Sequence, residues 1–222
     1  IAFVNELAMM CDRMAIDVWE VIRAASTKPF GFMPFYPGPG IGGHCIPLDP
    51  MYLSWKAKEF RFYSKFIELA QSINDNMPEY VLNKTAQVLN VYAKSIRNSK
   101  VLILGMSYKP DIDDLRESPG LEIYELFQKS GAKVDYYDPY ATSFKDEQGH
   151  VVHTVKYDPE AFSQYDCMVL ITNHRSFSYH ELAETGVPII DTRNAFADIH
   201  SDNIHKLGTG IRPKDVKVLV GA

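Results

Sequence analysis

A short apolar run that ends at a glycine constrains the fold of this chain more than any other feature. Residues 101–104 read Val-Leu-Ile-Leu, and Gly105 follows them. A run of this length and composition is typical of a parallel strand that is buried on both faces. Farther along, Ser118 and Pro119 have the pattern of a helix N-cap and a first-turn proline, and Gly131 has the position of a residue that follows a helix.

Further strand-like segments alternate with helical patterns along the second half of the chain. They cover residues 133–137, 166–172, 187–191 and 217–220. Strands that alternate with helices predict a parallel sheet with right-handed crossover connections. Residues 98–222 are therefore predicted to form a Rossmann-like α/β domain.

The first half of the chain is predicted to be helical apart from one long loop. Apolar residues recur at helical spacing over residues 1–26, 66–73 and 81–96. Residues 27–50 are rich in glycine, proline and aromatic residues, so no regular element is expected there. We therefore predict a helical domain over residues 1–97, and a fold class of α plus α/β for the chain.

Charge and cysteine content exclude several classes of protein. The chain has 23 Lys and Arg residues against 28 Asp and Glu, and its net charge of −5 argues against binding to nucleic acid or a membrane surface. Cys11, Cys45 and Cys167 are odd in number and far apart, which is typical of reduced thiols in the cytoplasm. The chain begins at Ile1 in the middle of a helical pattern, without an initiator Met, so we expect it to be part of a longer protein.

The densest chemical signal is a glycine-rich loop that ends in a cysteine. Residues 38–49 read Gly-Pro-Gly-Ile-Gly-Gly-His-Cys-Ile-Pro-Leu-Asp. Closely spaced glycines let the backbone approach a ligand, and successive N–H groups can form a concavity for anionic oxygens. Cys45 at the mouth of that concavity would be an exposed nucleophile, and Asp49 could orient a water or the thiol proton.

Two structural alternatives stay open for this loop. It could be a tight turn around a small buried cysteine, because a free cysteine usually packs as a small apolar residue. Asp49 could cap the helix that begins near Pro50. No second Cys or His stands near His44 and Cys45 at ligand spacing, so no metal site is predicted.

The loop resembles the active-site signature of the UDP-glucose/GDP-mannose dehydrogenase family. Other segments match the same family in order along the chain: Phe-Val-Asn-Glu-Leu at residues 3–7, Ile-Leu-Gly-Met-Ser-Tyr-Lys-Pro at 103–110, Asp-Leu-Arg-Glu-Ser at 114–118, Tyr-Asp-Pro at 137–139 and Asp-Thr-Arg-Asn at 191–194. Residues 25–32 are most similar to the UDP-N-acetylglucosamine 6-dehydrogenases of bacterial surface-polysaccharide pathways. UDP-glucose 6-dehydrogenase and UDP-N-acetylmannosamine dehydrogenase are the alternatives within the family.

The resemblance implies oxidation of the C6 alcohol of a UDP-sugar to a carboxylate, with NAD+ as the hydride acceptor twice. Cys45 would attack the intermediate aldehyde to give a thiohemiacetal, whose oxidation gives a thioester that water hydrolyses. Asp49 matches the aspartate that assists this step in the family by positioning water.

The resemblance also implies two sets of binding residues. The substrate-binding set surrounds the sugar diphosphate and the uridine, and comprises Tyr36, Gly38, Gly40, Ile41, Gly42, Tyr108, Lys109 and Arg193. The cofactor-binding set lies beside NAD, and comprises Ile46, Pro47, Leu48 and Arg116. An aromatic ring can stack on a base, and a cation can reach a ribose or a phosphate. Without the motifs, Lys109 and Arg193 could equally be solvated surface charges.

A dinucleotide-binding motif is missing from the predicted sheet. Residues 101–104 are followed by Gly-Met-Ser-Tyr rather than G-x-G-x-x-G, so a pyrophosphate is not expected at the next helix N-terminus. The family's NAD-binding domain would precede Ile1, and the chain alone is expected to be inactive. An arginine that relatives contribute to the partner subunit's site would align with Thr27, next to Lys28, which lacks the bidentate fork of arginine.

The resemblance implies a homodimer through the central helices, with the apolar stripe over residues 66–96 as core and dimer contact. Four aromatic residues are predicted to anchor the long loop through a small core of its own: Phe30, Phe32, Phe35 and Tyr36. Two other functions stay open. One is a nucleotide-sugar-binding module without redox chemistry, and the other is a thiol hydrolase or transferase that uses Cys45 with His44.

Overall fold

The fold consists of a group of helices followed by alternating strands and helices, as seen in a computed structural model that describes residues 1–211. The helical group comprises α1 Ala2–Met14, α2 Val18–Ala25, α3 Asp49–Glu59, α4 Lys65–Asp75 and α5 Met77–Val91. The alternating part comprises β1 Lys100–Leu104, α6 Pro119–Lys129, β2 Lys133–Tyr137, β3 Ser143–Lys145, β4 Val151–His153, α7 Pro159–Phe162, β5 Cys167–Leu170, α8 Tyr179–Glu184, β6 Ile189–Asp191 and β7 Ile204–Lys206.

The main sheet has five parallel strands in the order β2-β1-β5-β6-β7, and β3 and β4 form a separate antiparallel pair. This arrangement confirms the predicted fold class. Leu104 pairs with Tyr137 and with Leu170, and Leu170 pairs with Asp191. The segments that follow β1, β2, β5 and β6 therefore meet at one edge of the sheet, which is where ligands bind in open parallel sheets.

The fifth strand of the sheet differs from the prediction. It is Ile204–Lys206, whereas the predicted strand at residues 217–220 lies outside the described residues. The sequence Ile-His-Lys is short and mixed in polarity, so it has no apolar run that marks a buried strand. It adds to the sheet because its backbone pairs in parallel with β6, and Ile189 is opposite Ile204.

Two predicted helices are shorter than their apolar periodicity suggests. The pattern over residues 1–26 is interrupted at Ala15, which has a φ of 54°, and Asp17 then caps α2 by accepting hydrogen bonds from the next N–H groups. Helix α5 ends at Val91, whereas the apolar pattern predicted an end near residue 96. It ends earlier because Ala93 takes a φ of 55°. The predicted start of α6 is confirmed, since the Ser118 hydroxyl accepts a hydrogen bond from the N–H of Gly120 at 3.1 Å.

The helical group and the sheet contact each other closely. Met77, Val81 and Leu89 of α5 are fully buried in one apolar cluster with Ile103 of β1. The segment after β7 returns to α2, where the indole Nε1 of Trp19 donates to the carbonyl oxygen of Leu207 at 2.9 Å. These contacts fix the helical group against the sheet, while the proposed domain boundary at residue 97 stays a prediction.

A large apolar surface on the helical group is exposed. Phe66 on α4 is 88 % exposed and Trp55 on α3 is 65 % exposed. The first part of the stripe predicted as core and dimer contact is therefore at the surface of the single chain, while its later part on α5 is buried. Phe30 is 86 % exposed, and it does not anchor the long loop as predicted. Tyr36 is the partial exception, because its ring stacks on Trp19 with 6.2 Å between the ring centroids. Within residues 1–211, no helix has the length and apolar character needed to cross a membrane.

Candidate functional site

The glycine-rich loop between α2 and α3 is anchored by a buried asparagine of α1. Asn5 is fully buried, its Oδ1 accepts a hydrogen bond from the N–H of Gly38 at 3.0 Å, and its Nδ2 donates to Oδ1 of Asn74 at 3.0 Å. A buried amide with both ends satisfied fixes the loop relative to α1 and α4. Sequence reasoning gave Asn5 no role, although a polar residue on the buried face between Val4 and Ala8 is a signal for one.

Arg193 lies directly against the start of this loop. A Cβ atom on Gly38 would be 2.6 Å from Nη1 of Arg193, so glycine leaves the room that the guanidinium occupies. Arg193 follows β6, and its Nε donates to the carbonyl oxygen of Ile171 at 2.8 Å. Burial lowers the pKa of Arg193 to about 10, and the charge of Asp191 partly opposes that shift. Among residues 1–211 the guanidinium has no ion-pair partner, so its remaining N–H groups are available to an anionic ligand.

The middle of the loop lies against the start of α6. Gly40 has a φ of +137°, and a Cβ atom there would be 3.0 Å from the Cβ of Pro119. Gly40 and Ile41 line a small cavity together with Pro78 and Pro119. The exposed side chain of Tyr36 lies just before this stretch of the loop.

The end of the loop lies against Tyr108, in the segment that follows β1. A Cβ atom on Gly42 would be 2.4 Å from the Cβ of Tyr108, and one on Gly43 would be 2.9 Å from its Cε2. The N–H of Gly43 donates to the carbonyl oxygen of Arg116 at 2.9 Å. The structure therefore brings the predicted sugar-diphosphate loop together with Tyr108, Arg116 and the start of α6, while Lys109 beside Tyr108 is exposed.

Cys45 is exposed at the point where the loop turns into α3. Its carbonyl oxygen accepts a hydrogen bond from the N–H of Asp49 at 2.8 Å, so residues 45–49 form a helical turn that runs into α3. The alternative of a buried structural cysteine is wrong for this residue. Cys11 and Cys167 are the buried thiols, and burial raises the pKa of both. Cys45 is thus the thiol that a substrate can reach.

Arg116 provides a positive charge close enough to Cys45 for the two groups to interact electrostatically. Its guanidinium binds Asp114 through three hydrogen bonds, from Nε to Oδ1 at 3.0 Å and to Oδ2 at 3.1 Å, and from Nη2 to Oδ2 at 2.6 Å. The hydrogen bonds from Arg116 lower the pKa of Asp114 to about 2. The Arg116 side chain is nevertheless 61 % exposed. Asp114 therefore orients the guanidinium but leaves most of the side chain open to solvent.

The remaining predicted residues follow Cys45 directly in the chain, at the start of α3. Asp49 is exposed in the first turn of α3, one helical turn after Cys45. The helix N-cap is Leu48, so the alternative in which Asp49 caps α3 is wrong. Ile46 and Leu48 are exposed apolar side chains, and Pro47 is half-buried.

A buried carboxylate to which sequence reasoning gave no role holds the Tyr108 segment. Asp138 follows β2 and is fully buried, and its Oδ2 accepts hydrogen bonds from the N–H of Met106 at 2.7 Å and of Ser107 at 3.0 Å. His174 lies on the same oxygen, with its Nε2 at 3.0 Å. Burial alone would raise the pKa of Asp138, but hydrogen bonds from His174 and several backbone N–H groups hold it well below its usual range. The Tyr-Asp-Pro motif at residues 137–139 is the sequence signal for it.

Two remaining predictions concern a metal site and Lys28. In the part of the chain that the structure describes, no group of three His, Cys, Asp or Glu residues could hold a metal ion. Lys28 is exposed shortly after α2, and its possible action in a partner subunit stays a prediction.

Comparison with known families and structures supports the resemblance found in the sequence. Residues 1–76 match the UDP-glucose/GDP-mannose dehydrogenase family, central domain, and residues 102–198 match the UDP binding domain of the same family. The UDP-N-acetyl-D-mannosamine dehydrogenase of Methanococcus maripaludis is 37 % identical over 177 residues, which are 80 % of this chain and 38 % of that protein. The UDP-N-acetyl-D-glucosamine 6-dehydrogenase of Salmonella typhi is 36 % identical over 180 residues, which are 80 % of this chain and 41 % of that protein.

Solved structures agree with the sequence comparisons. The UDP-D-ManNAc dehydrogenase of Pyrococcus horikoshii is 28 % identical with a TM-score of 0.79, over 95 % of this chain and 48 % of that one. The NDP-N-acetyl-D-galactosaminuronic acid dehydrogenase of Methanosarcina mazei is 27 % identical with a TM-score of 0.80 over the same shares. The chain thus spans about two-fifths of the length of the curated relatives, from 38 % to 41 % for the two named above. With both matched domains in order and the glycine loop in contact with the Tyr108 segment, the chain belongs to the UDP-glucose/GDP-mannose dehydrogenase family.

Proposed function

We propose that this chain is the substrate-binding and cysteine-bearing part of an NAD-dependent UDP-sugar 6-dehydrogenase. The observation that carries the proposal is the position of Cys45, which is exposed beside Arg116 at the end of a loop that contacts both Arg193 and Tyr108. The substrate class is a UDP-N-acetylhexosamine, in agreement with the names of the relatives. UDP-N-acetylglucosamine is the first candidate on the resemblance of residues 25–32, and UDP-N-acetylmannosamine is the second.

Charge and shape support a nucleotide diphosphate as the ligand. Arg193 is partly desolvated and has no ion-pair partner among residues 1–211, so a diphosphate would satisfy its free N–H groups. Gly38 and Gly42 leave no room for side chains where the loop meets Arg193 and Tyr108, so the loop packs directly against both residues. Tyr108 offers a ring edge or face for the uracil, and exposed Lys109 reaches the ribose or a phosphate.

The proposed chemistry uses the Cys45 sulfur as a temporary acyl carrier. The thiolate attacks the C6 aldehyde of the half-oxidised sugar and forms a carbon–sulfur bond, while the aldehyde oxygen takes up a proton. Loss of hydride from that tetrahedral carbon, together with the proton of its hydroxyl, would give a thioester. Attack by water would then release the carboxylate and a proton and return the thiol. Asp49, one helical turn after Cys45, would orient the attacking water. The positive charge of Arg116 would lie close to the reacting sulfur.

The exposed side of Cys45 provides only part of a binding site for NAD+. The exposed apolar side chains of Ile46 and Leu48 offer a surface for a flat ring, and Arg116 is open enough to reach a phosphate or ribose. The chain has no G-x-G-x-x-G motif after β1, so the rest of the dinucleotide would need an NAD-binding unit on another part of the protein. When bound, NAD+ would accept the hydride that each oxidation removes.

The exposed apolar face of α3 and α4 supports the proposed homodimer. Leu53 and Trp55 on α3, and Phe66 and Leu69 on α4, are each more than half exposed, and patches of this kind mark protein interfaces. Sedimentation equilibrium of the chain should therefore report a dimer. A Phe66→Asp substitution should shift it toward monomer, whereas Val151→Asp, on the separate β3–β4 pair, should not.

Calorimetry of the chain tests the proposed function directly. UDP and the two UDP-N-acetylhexosamines should bind, and NAD+ should bind weakly or not at all. Arg193→Met should weaken UDP binding by about tenfold or more, because it removes charge-assisted hydrogen bonds to phosphate. Arg23→Met is the matched control, since Arg23 is an exposed arginine on α2. Absence of UDP binding, or equal loss in both variants, would contradict the proposal.

A further inference from the structure

A buried carboxylate at the end of β6 organises the turn that carries Arg193. Asp191 is the last residue of that strand and is fully buried. Its Oδ1 accepts hydrogen bonds from the N–H of Arg193 at 2.9 Å and from the N–H of Ala195 at 3.1 Å. Its Oδ2 accepts a third from the N–H of Phe196 at 3.0 Å. The Asp191 carboxylate therefore fixes the backbone of residues 193–196.

The turn depends on this carboxylate because the residue after Arg193 does not support it. Asn194 has a φ of 56°, in the left-handed region, and such a conformation persists where surrounding contacts determine it. Its Oδ1 is buried and has no hydrogen-bond partner among the described residues. The Asn194 side chain therefore does not fix the turn through this atom, whereas the three bonds to Asp191 do.

The guanidinium of Arg193 is fixed at one nitrogen and leaves two for a ligand. Nε donates to the carbonyl oxygen of Ile171, just after β5, at 2.8 Å. A Cβ atom on Gly38 would be 2.6 Å from Nη1, so the guanidinium lies directly against the glycine-rich loop. Neither Nη1 nor Nη2 donates to an acceptor within residues 1–211. These two nitrogens can therefore bind an anion without first breaking a bond.

Asp191 and Arg193 do not form an ion pair, although the two side chains are close enough to interact electrostatically. The backbone N–H groups of the turn occupy both carboxylate oxygens instead, with two bonds on Oδ1 and one on Oδ2. Burial raises the pKa of the Asp191 carboxyl, and these N–H bonds oppose that shift. Asp191 thus holds the backbone of Arg193 and leaves the end of its side chain unpaired.

We propose that Asp191 is a positioning residue for the diphosphate of the substrate, and that it acts only through Arg193. The inference rests on the proposed function, because it takes the diphosphate as the ligand of Arg193. Asp191 is fully buried, so it does not touch the ligand itself. Without its three bonds the turn would loosen, and the guanidinium would lose its fixed place against Gly38. Affinity for the phosphates would then fall, because the ligand would have to order Arg193 when it binds.

Two substitutions remove the bonds of Asp191 by degrees. Asp191→Asn keeps the shape of the side chain but has one acceptor oxygen, so it reproduces the bonds on one side only. Asp191→Ala removes all three bonds, and the isosteric Asp191→Asn carries the test where the alanine variant does not fold. Asp158→Asn is the matched control. Asp158 also accepts two backbone N–H bonds, at the start of α7, and it lies near the amino ends of β1 and β2.

Calorimetry with UDP shows whether Asp191 acts through Arg193. UDP affinity should fall about threefold in Asp191→Asn and about tenfold in Asp191→Ala, and it should not change in Asp158→Asn. In the Arg193→Met background, either Asp191 substitution should weaken UDP binding by less than about twofold, because the group through which it acts is gone. An equal loss with and without the Arg193 guanidinium, or wild-type affinity in the Asp191 variants, would overturn the inference.

The Nε–H proton of Arg193 gives a readout that needs no ligand. Its resonance in the NMR spectrum of the ¹⁵N-labelled chain is the one that Arg193→Met removes. Exchange of this proton with water should be slow in wild type and in Asp158→Asn, and about tenfold faster in Asp191→Asn, because the bond to Ile171 opens more often. Failure of wild type to bind UDP would count against the proposed function alone. Unchanged exchange in Asp191→Asn would overturn the positioning role, whatever the UDP result.

Discussion

Gly42 lies so close to Tyr108 that a Cβ atom on the glycine would be 2.4 Å from the Cβ of the tyrosine. The added Cβ atom on Gly42 would also be 2.8 Å from the carbonyl oxygen of Glu117. A backbone oxygen cannot move aside as the end of a flexible side chain can. Gly42 is not among the glycines with positive φ, so the requirement for glycine here is steric rather than conformational. The contact joins the loop that carries Cys45 to the segment proposed to bind the nucleotide.

A Gly42→Ala substitution should therefore separate these two segments. We expect a loss of about 1–3 kcal/mol in the free energy of unfolding from overpacking, and UDP binding weaker by about tenfold because Tyr108 is displaced. Urea denaturation and calorimetry check the two effects. Gly149→Ala is the control, because Gly149 has open space around it and lies outside the candidate site, so UDP affinity should not change. Wild-type affinity in Gly42→Ala would show that the contact has no part in binding.

A buried ion pair joins α1 to α5 and to the segment after β7. Nζ of Lys84 lies 2.7 Å from Oδ1 of Asp12, with side-chain exposures of 2 % and 9 %, and Asp12 also accepts a hydrogen bond from the N–H of Gly210. Lys84→Ala should lower the free energy of unfolding by about 3–5 kcal/mol, because it leaves a buried carboxylate uncompensated.

An exposed pair provides the matched control for Lys84. Lys56 is 2.6 Å from Glu59, but both side chains are about half exposed, at 58 % and 47 %. Lys56→Ala should change stability by less than about 1 kcal/mol, since solvent already screens the charges. Equal losses in the two variants, measured by urea denaturation at pH 7, would contradict the distinction between the buried and the exposed pair.

Asp138 should make the chain sensitive to acid. Its pKa is lowered below the ordinary value of 3.8 in the folded state, so the stability it contributes is fully present above that value and is lost as the pH falls below it. Wild-type stability should thus decrease between about pH 4 and pH 2. Asp138→Asn should cost about 2–4 kcal/mol at pH 7 and show a shallower decrease in acid, because it removes this titration. Parallel pH profiles from chemical denaturation would count against the assignment.

The sheet could be predicted from sequence wherever its strands are apolar runs. Residues 101–104 and 167–170 are fully buried strands that pair with each other, and their apolar composition predicted that both are buried strands. β7 could not be predicted, because Ile-His-Lys has neither length nor alternation and is a strand only by pairing with β6. Pairing with β6, rather than the local sequence pattern, therefore makes β7 a strand.

The candidate site was predictable where glycine or cysteine marked it, and not where a polar side chain acts through burial. Cys45, Gly38 and Gly42 stand out by residue type and spacing. In the structure Cys45 is exposed, and the two glycines lie against Arg193 and Tyr108. Asn5 and His174 did not stand out, because a single polar residue in an apolar segment does not indicate its partner. Their importance comes from hydrogen bonds to residues 33 and 63 positions away in the chain.

The exposure of Cys45 makes a direct prediction about thiol reactivity. Iodoacetamide should alkylate Cys45 in the native chain, with displacement of iodide by the thiolate, because Cys45 is exposed. Cys11 and Cys167 are buried and should react on the order of 100-fold more slowly, since they need local opening of the structure. Peptide mapping by mass spectrometry identifies the modified residue, and Cys45→Ser should abolish the fast reaction. UDP-N-acetylglucosamine should slow the alkylation of Cys45 and leave the two buried thiols unaffected. Alkylation at an unchanged rate with saturating UDP-sugar would place the ligand away from the sulfur, and the proposed thioester chemistry would then have no substrate carbon within reach.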